Sequence, residues 1–170
     1  RPQRTSPQLS FLRGEFIQAA RRVYPAFDLA TLLKSTFAPS EGQRICILID
    51  LPDPARMKDF EFLKNPELPI QANAVNFFHK PLHARVMKEL GLQGGGIFAY
   101  KITGGSNLDL PDEAVTPEGT SVSLEKDIYP DHDIILCVST YSATAPLTAF
   151  AKQYKFRGAT LHGVNPTILR

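Results

Sequence analysis

Asp50 closes the unbroken apolar run Ile45-Cys46-Ile47-Leu48-Ile49, and Asp53 follows three residues later. A carboxylate at a strand end can hold a ribose, a metal or a lysine, but Asp is equally an ordinary turn former. Residue type leaves the two readings even. The turn Ser139-Thr140-Tyr141-Ser142-Ala143-Thr144 sets Ser139, Thr140, Ser142 and Thr144 beside an expected helix start. Such a turn can bind an anion through hydroxyls, backbone N–H groups and the helix dipole. It can also be a plain capping turn, since Ser and Thr belong at N-caps, and that reading takes precedence. Asp50, Asp53, Ser139, Thr140, Ser142 and Thr144 are thus the candidate ligand-binding residues, with residues 103–107 as a third strand-end segment.

His79 and His83 have the spacing of two zinc ligands on one helix turn. The glutamate of the metalloprotease helix motif is absent, however, and Pro81 stands between them. A helix starting at Pro81 leaves His79 outside the regular turn, so both are read as surface histidines beside a helix start. His132 and His162 are isolated. Gly94-Gly95-Gly96 and Gly104-Gly105 match neither the dinucleotide fingerprint nor a phosphate loop, and no serine sits in a nucleophile elbow. No catalytic residue and no metal ligand is assigned.

These candidates need a scaffold. Ser6-Pro7 opens a helix that carries Leu9, Leu12, Phe16 and Val23 at helical spacing and ends at Pro25. Asp28 caps a second helix, with Leu29, Leu32, Leu33 and Phe37 on one face. The run at 45–49 does not alternate with polar residues, which predicts a short strand covered on both faces, as in parallel sheets. Residues 51–78 read as an irregular insertion around four prolines, with room for a short helix at 55–63. A third helix is expected over 81–92 with Gly91 as its C-cap, then a strand at 97–102 and a polar loop to about Pro130. A further apolar strand covers 134–138. A helix from Thr144 or Pro146, ending at Gly158, and a last strand at 159–164 complete the pattern.

The expected fold is α/β: an open, mainly parallel sheet of about four strands with helices on both faces, a three-layer Rossmann-like or flavodoxin-like arrangement. One domain spans 1–170, with N-terminal helices over 1–43 and the sheet with its crossovers over 44–166. Ligands in such sheets bind outside the carboxyl ends of the strands, where strand order reverses.

The 170 residues, 43% hydrophobic and 21% charged, suit one folded domain. Lys+Arg 19 against Asp+Glu 17 gives a net charge of +2, too small for a nucleic-acid footprint. Arg21 and Arg22 read as the wet side of a helix. No run is long and apolar enough to span a bilayer, and no secretory signal pattern opens the chain, so the expected location is cytoplasmic. Cys46 and Cys137 lie inside apolar runs and read as buried reduced thiols. The chain opens on Arg1 rather than Met and stops six residues after the last expected strand, so it is expected to be part of a larger two-domain protein.

RICILID (44–50), the helix at 81–92, DIILCVS (133–139), the hydroxyl turn, the helix at 144–156 and GATLHGVNPTI (158–168) occur in an order that resembles the N-terminal domain of the aminopeptidase T-like (leucyl aminopeptidase-like) metallopeptidases. The resemblance runs from about Asp28 onward and is one of pattern, without a diagnostic motif. Residues 51–78 and 107–130 depart from it. It implies a metal-dependent exopeptidase hydrolase whose divalent metal and ligands belong to a C-terminal domain, so this chain carries no cofactor of its own. Its partners would be that domain and a second copy in a homodimer, with no nucleic acid or membrane.

Three functions follow as expectations. The first is a non-catalytic N-terminal domain of such an exopeptidase, aiding substrate access or dimerisation. The second is a stand-alone binding module for a phosphate-bearing or nucleotide-like ligand at the strand ends. The third is an oligomerisation domain working through the apolar faces of the first helices.

Overall fold

β1 (Arg44–Leu51) forms because its β-branched run has apolar neighbours on both sides of the sheet; every residue from Ile45 to Leu51 is buried. Ile45, Ile47, Ile49 and Leu51 enter one apolar cluster, and Cys46 and Leu48 enter another. This division is the period-2 alternation of a strand with two covered faces. Each fully buried Ile or Leu contributes about 1.5–3 kcal/mol relative to its exposed state.

The computed structural model describes residues 28–162 and 165–169. The helix expected over 7–23 lies outside them. β2 (Gln93–Lys101), β3 (Glu113–Val115), β4 (Ser121–Ser123), β5 (Ile134–Ser139), β6 (Arg157–His162) and β7 (Asn165–Leu169) join β1 in one sheet of order β4-β3-β2-β1-β5-β6-β7. The four central strands β2-β1-β5-β6 are parallel, while β3 and β4 extend one edge antiparallel and β7 the other.

The expected sheet of about four strands is therefore only the centre of a seven-stranded mixed one. β3 and β4 have three residues each, too few for alternation to register. β7 contains Pro166, which argues against a strand unless the strand lies at an edge, where a missing N–H is tolerated. Gly158 lies inside β6 rather than at a helix end; the helix before it ends at Lys155 in the left-handed region, φ 66°.

Helices cover both faces. α1 (Leu29–Phe37) is capped by Asp28, whose side chain accepts from Ala30 N at 3.2 Å, and it buries Leu29, Ala30, Leu33 and Phe37. α2 runs through residues 69–90 and packs Ala74, Val75, Phe78, Leu82 and Val86 on the same side of the sheet. On the other face lie α3 (Thr144–Tyr154), with Leu147 and Ala151 inward, and the turns Leu124–Ile128 and Tyr129–Asp131. Tyr129 stacks there on Phe150 and Phe156 at ring-centre distances of 4.8 and 5.4 Å.

α2 corrects two expectations. The segment 51–78 is not irregular throughout: a kinked 3-10 stretch, Pro54–Lys64, leads into a helix that starts at Pro69, not Pro81. Pro81 then falls in the helix interior, where its missing N–H and its ring would break a regular ladder. The helix widens into π turns on both sides, Ala74–His79 and Leu82–Val86, closed by Lys80 N–H to Val75 O and Met87 N–H to Leu82 O. It ends at Gly91 in the left-handed region as expected, φ 71°.

Candidate functional site

In chain order the parallel strands are second, first, third and fourth across the sheet centre, so strand order reverses between β1 and β5. Asp50 ends β1 at this point, and the hydroxyl turn leaves β5 beside it. The tertiary fold brings them into contact.

Asp50 is only 1% exposed. Thr140 N donates to both carboxylate oxygens at 3.0 Å, and Tyr141 N reaches Oδ2 at 3.5 Å. Gln71 Nε2, from the first turns of α2, donates to Asp50 Oδ1 at 2.6 Å and also lies 2.9 Å from Asp50 O and 2.8 Å from Thr140 Oγ1. Burial pushes the Asp50 carboxyl above its ordinary value of 3.8, and the bonds from Thr140, Gln71 and Tyr141 hold it back only in part. Among the described residues no ion pair includes Asp50. A buried carboxylate held by N–H donors ties β1, α2 and the β5 turn together at the switch point.

The other hydroxyls are used in the same inward manner. Ser139 Oγ donates to Tyr141 O at 2.7 Å. Ser142 Oγ lies 3.0 Å from Thr144 Oγ1, which lies 2.8 Å from Thr160 Oγ1 on β6. Thr144 N donates to Ser142 Oγ at 3.3 Å, but the N-cap itself is Ala143, so no hydroxyl of the turn occupies the capping position. The stronger cap comes from outside the turn: Ala145 N donates to Asn107 Oδ1 at 2.9 Å, and Asn107 N donates to Ser142 O at 2.7 Å. Asn107 sits in the left-handed region, φ 60°, which Asn tolerates better than most residues. In the same strand-end segment, Thr103 Oγ1 donates to Gly105 O at 2.9 Å.

Asp53 is not part of this network. Its side chain accepts from Ala55 N at 3.1 Å and pairs with Arg56 Nε at 3.6 Å. It lines a cavity of about 490 Å³ just past β1, together with Arg56, Glu61, Phe62, Lys64 and Leu68. Arg56 also holds Glu61 at 3.0 Å. The six candidate residues therefore fall into three groups: Asp50 with Thr140 and, through Tyr141, Ser139; Ser142 with Thr144, which bonds on to Thr160; and Asp53 at an open cavity.

Gln71 is a position that sequence reasoning missed, whereas Asn107 closes the expected strand-end segment 103–107 and only its capping role went unread. Gln71 had a signal: it falls at the spacing of Ala74, Val75, Phe78 and Leu82, so a polar residue occupies the buried stripe of a helix. The capping role of Asn107 had none, because its partner lies 38 residues away.

Cys46 and Cys137 are free and buried on adjacent strands. Burial pushes Cys137 up to about 12 and raises Cys46 further, so neither is a nucleophile. No helix among the described residues is long and apolar enough to cross a membrane.

No protein-family model, curated protein or solved structure matches the chain.

Proposed function

We propose that this chain is the non-catalytic N-terminal α/β domain of an aminopeptidase T-like, metal-dependent exopeptidase of the cytoplasm, which it serves by shaping substrate access or dimerisation. The observation that supports this reading is the closed switch point. The place where an open α/β sheet normally receives a ligand is occupied by the protein's own Asp50, Gln71 and Thr140, bonded to one another at 2.6–3.0 Å. Groups spent on holding three elements together serve a scaffold. In this reading the hydrolytic metal and its ligands belong to a C-terminal domain, the chain's first partner, and a second copy is the other.

The test compares residues 1–170 with the natural full-length protein for metal-dependent release of N-terminal amino acids from short peptides. Activity is expected only in the longer protein. Turnover by residues 1–170 alone, or a natural reading frame without Glu and His ligands beyond them, overturns the reading.

A second reading is favoured by one observation: the cavity of about 490 Å³ at Asp53, Arg56 and Lys64 opens beside the carboxyl end of β1. Its position suits a small phosphate-bearing or nucleotide-like ligand in a stand-alone binding module. Thermal shift against nucleotides and sugar phosphates decides it, and a melting temperature that no ligand raises removes it.

A further inference from the structure

A helix beginning at Pro81 would leave His79 outside the turn that carries His83. The helix instead runs unbroken through residues 69–90, so both histidines lie on it, four positions apart. Their ring centres are 4.6 Å apart with planes at 61°. Two imidazoles sharing one ion, with metal–nitrogen bonds of about 2.1 Å, hold their ring centres on the order of 5 Å apart.

The surroundings prepare the pair. Gly94 and Gly95 adopt left-handed φ values of 86° and 81°, and the pairing of β1 with β2 skips Gly95, leaving it as a bulge. The Gly95 carbonyl oxygen lies 2.7 Å from His83 Nε2. A carbonyl only accepts, so Nε2 carries the proton and Nδ1 of His83 is left with its lone pair. A second ring nitrogen bonded to a backbone carbonyl is the support that orients metal-ligating histidines. A Cβ at Gly95 would stand 2.8 Å from His83 Nε2 and 2.7 Å from Met87 Sδ, so only glycine lets the ring seat there.

His79 Nδ1 is enclosed and has no hydrogen-bond partner among the described residues. Both rings line a cavity of about 450 Å³ with Phe60, Gly95, Phe98 and Glu118.

We propose that His79 and His83 clamp one transition-metal ion of the zinc class through one ring nitrogen each, leaving its other positions open to water or to a small ligand in this cavity. Imidazole suits zinc, copper and nickel. The clamp lacks the glutamate base of a metalloprotease helix, and with its other positions open it serves ligand binding or regulation rather than hydrolysis. It revises the expectation that this chain carries no metal, and it does not depend on the exopeptidase reading.

The experiment is calorimetric titration of tag-free residues 1–170 with Zn²⁺, repeated with Co²⁺ for its absorption bands. One ion per chain is expected, with affinity lowered at least tenfold in His79→Ala and in His83→Ala and unchanged in His132→Ala. His132 is bound to Ile128 O at 2.7 Å on the opposite face of the sheet. Circular dichroism verifies folding; should His83→Ala unfold, His83→Gln replaces it, since its amide can still donate to the Gly95 carbonyl. Absence of saturable binding in the wild type, or binding that persists in His79→Ala, overturns the proposal. Peptidase activity does not enter the readout, so its outcome is separate from that of the proposed function.

Discussion

Replacing Asp50 by Ala isolates the lock at the switch point. The change removes the acceptor of Thr140 N, bonded at 3.0 Å, while Gln71 Nε2 keeps Asp50 O at 2.9 Å and Thr140 Oγ1 at 2.8 Å. The part-buried N–H of Thr140, and the more distant one of Tyr141, thus lose their acceptor, at a cost of about 1–3 kcal/mol. For a chain of this length that lowers the melting temperature by on the order of 3–10 °C. The pH dependence is the sharper test. The Asp50 carboxyl is raised above 3.8 in the folded protein by burial. A raised carboxyl contributes stability that is fully present below 3.8 and lost as pH rises through its folded value. Relative to wild type, Asp50→Ala should therefore show its largest deficit in acid, shrinking as pH rises. Asp50→Asn removes the charge but keeps an acceptor for Thr140 N, and it should cost less than Ala at neutral pH. Urea unfolding of the three proteins from pH 3 to 7, by circular dichroism, measures all of this. A deficit of Asp50→Ala that grows with pH would mean the N–H bonds outweigh burial, and it would refute the reasoning.

Other consequences are simpler to measure. Asn107→Ala removes the acceptor that caps α3 from a distance, 2.9 Å from Ala145 N, and should cost about 0.5–2 kcal/mol in urea unfolding. The same variant should raise proteolytic cleavage in the segment 103–112, and unchanged stability and cleavage would show that the contact carries no weight. Cys46 and Cys137 should both resist a thiol reagent at pH 8 in the native protein and react together in denaturant, because burial holds both thiols far above that pH. Rapid labelling of either in the folded state contradicts the packing described.

The sheet centre was legible from sequence for a local reason. Ile45 to Ile49 and Ile134 to Val138 are short, β-branched and unbroken by polar residues, and a strand buried on both faces needs nothing else to be recognised. Asp28 and Gly91 likewise announced their helix ends, since a cap depends on neighbours a few residues away. The edge strands were hidden because three residues cannot show a period. Pro81 misled because proline's effect was judged against a regular α-helix, while packing of Phe78, Leu82 and Val86 against the sheet holds the helix together through two π turns.

The sequence by itself determined the α/β class and which residues could face each other at the strand ends. It could not determine that Asp50 would be consumed by Thr140, 90 residues away, or that Asn107 would cap a helix that starts more than 30 residues later. Those bonds depend on strand order, and strand order is decided by how helices pack on the two faces of the sheet, which no local pattern of residues encodes.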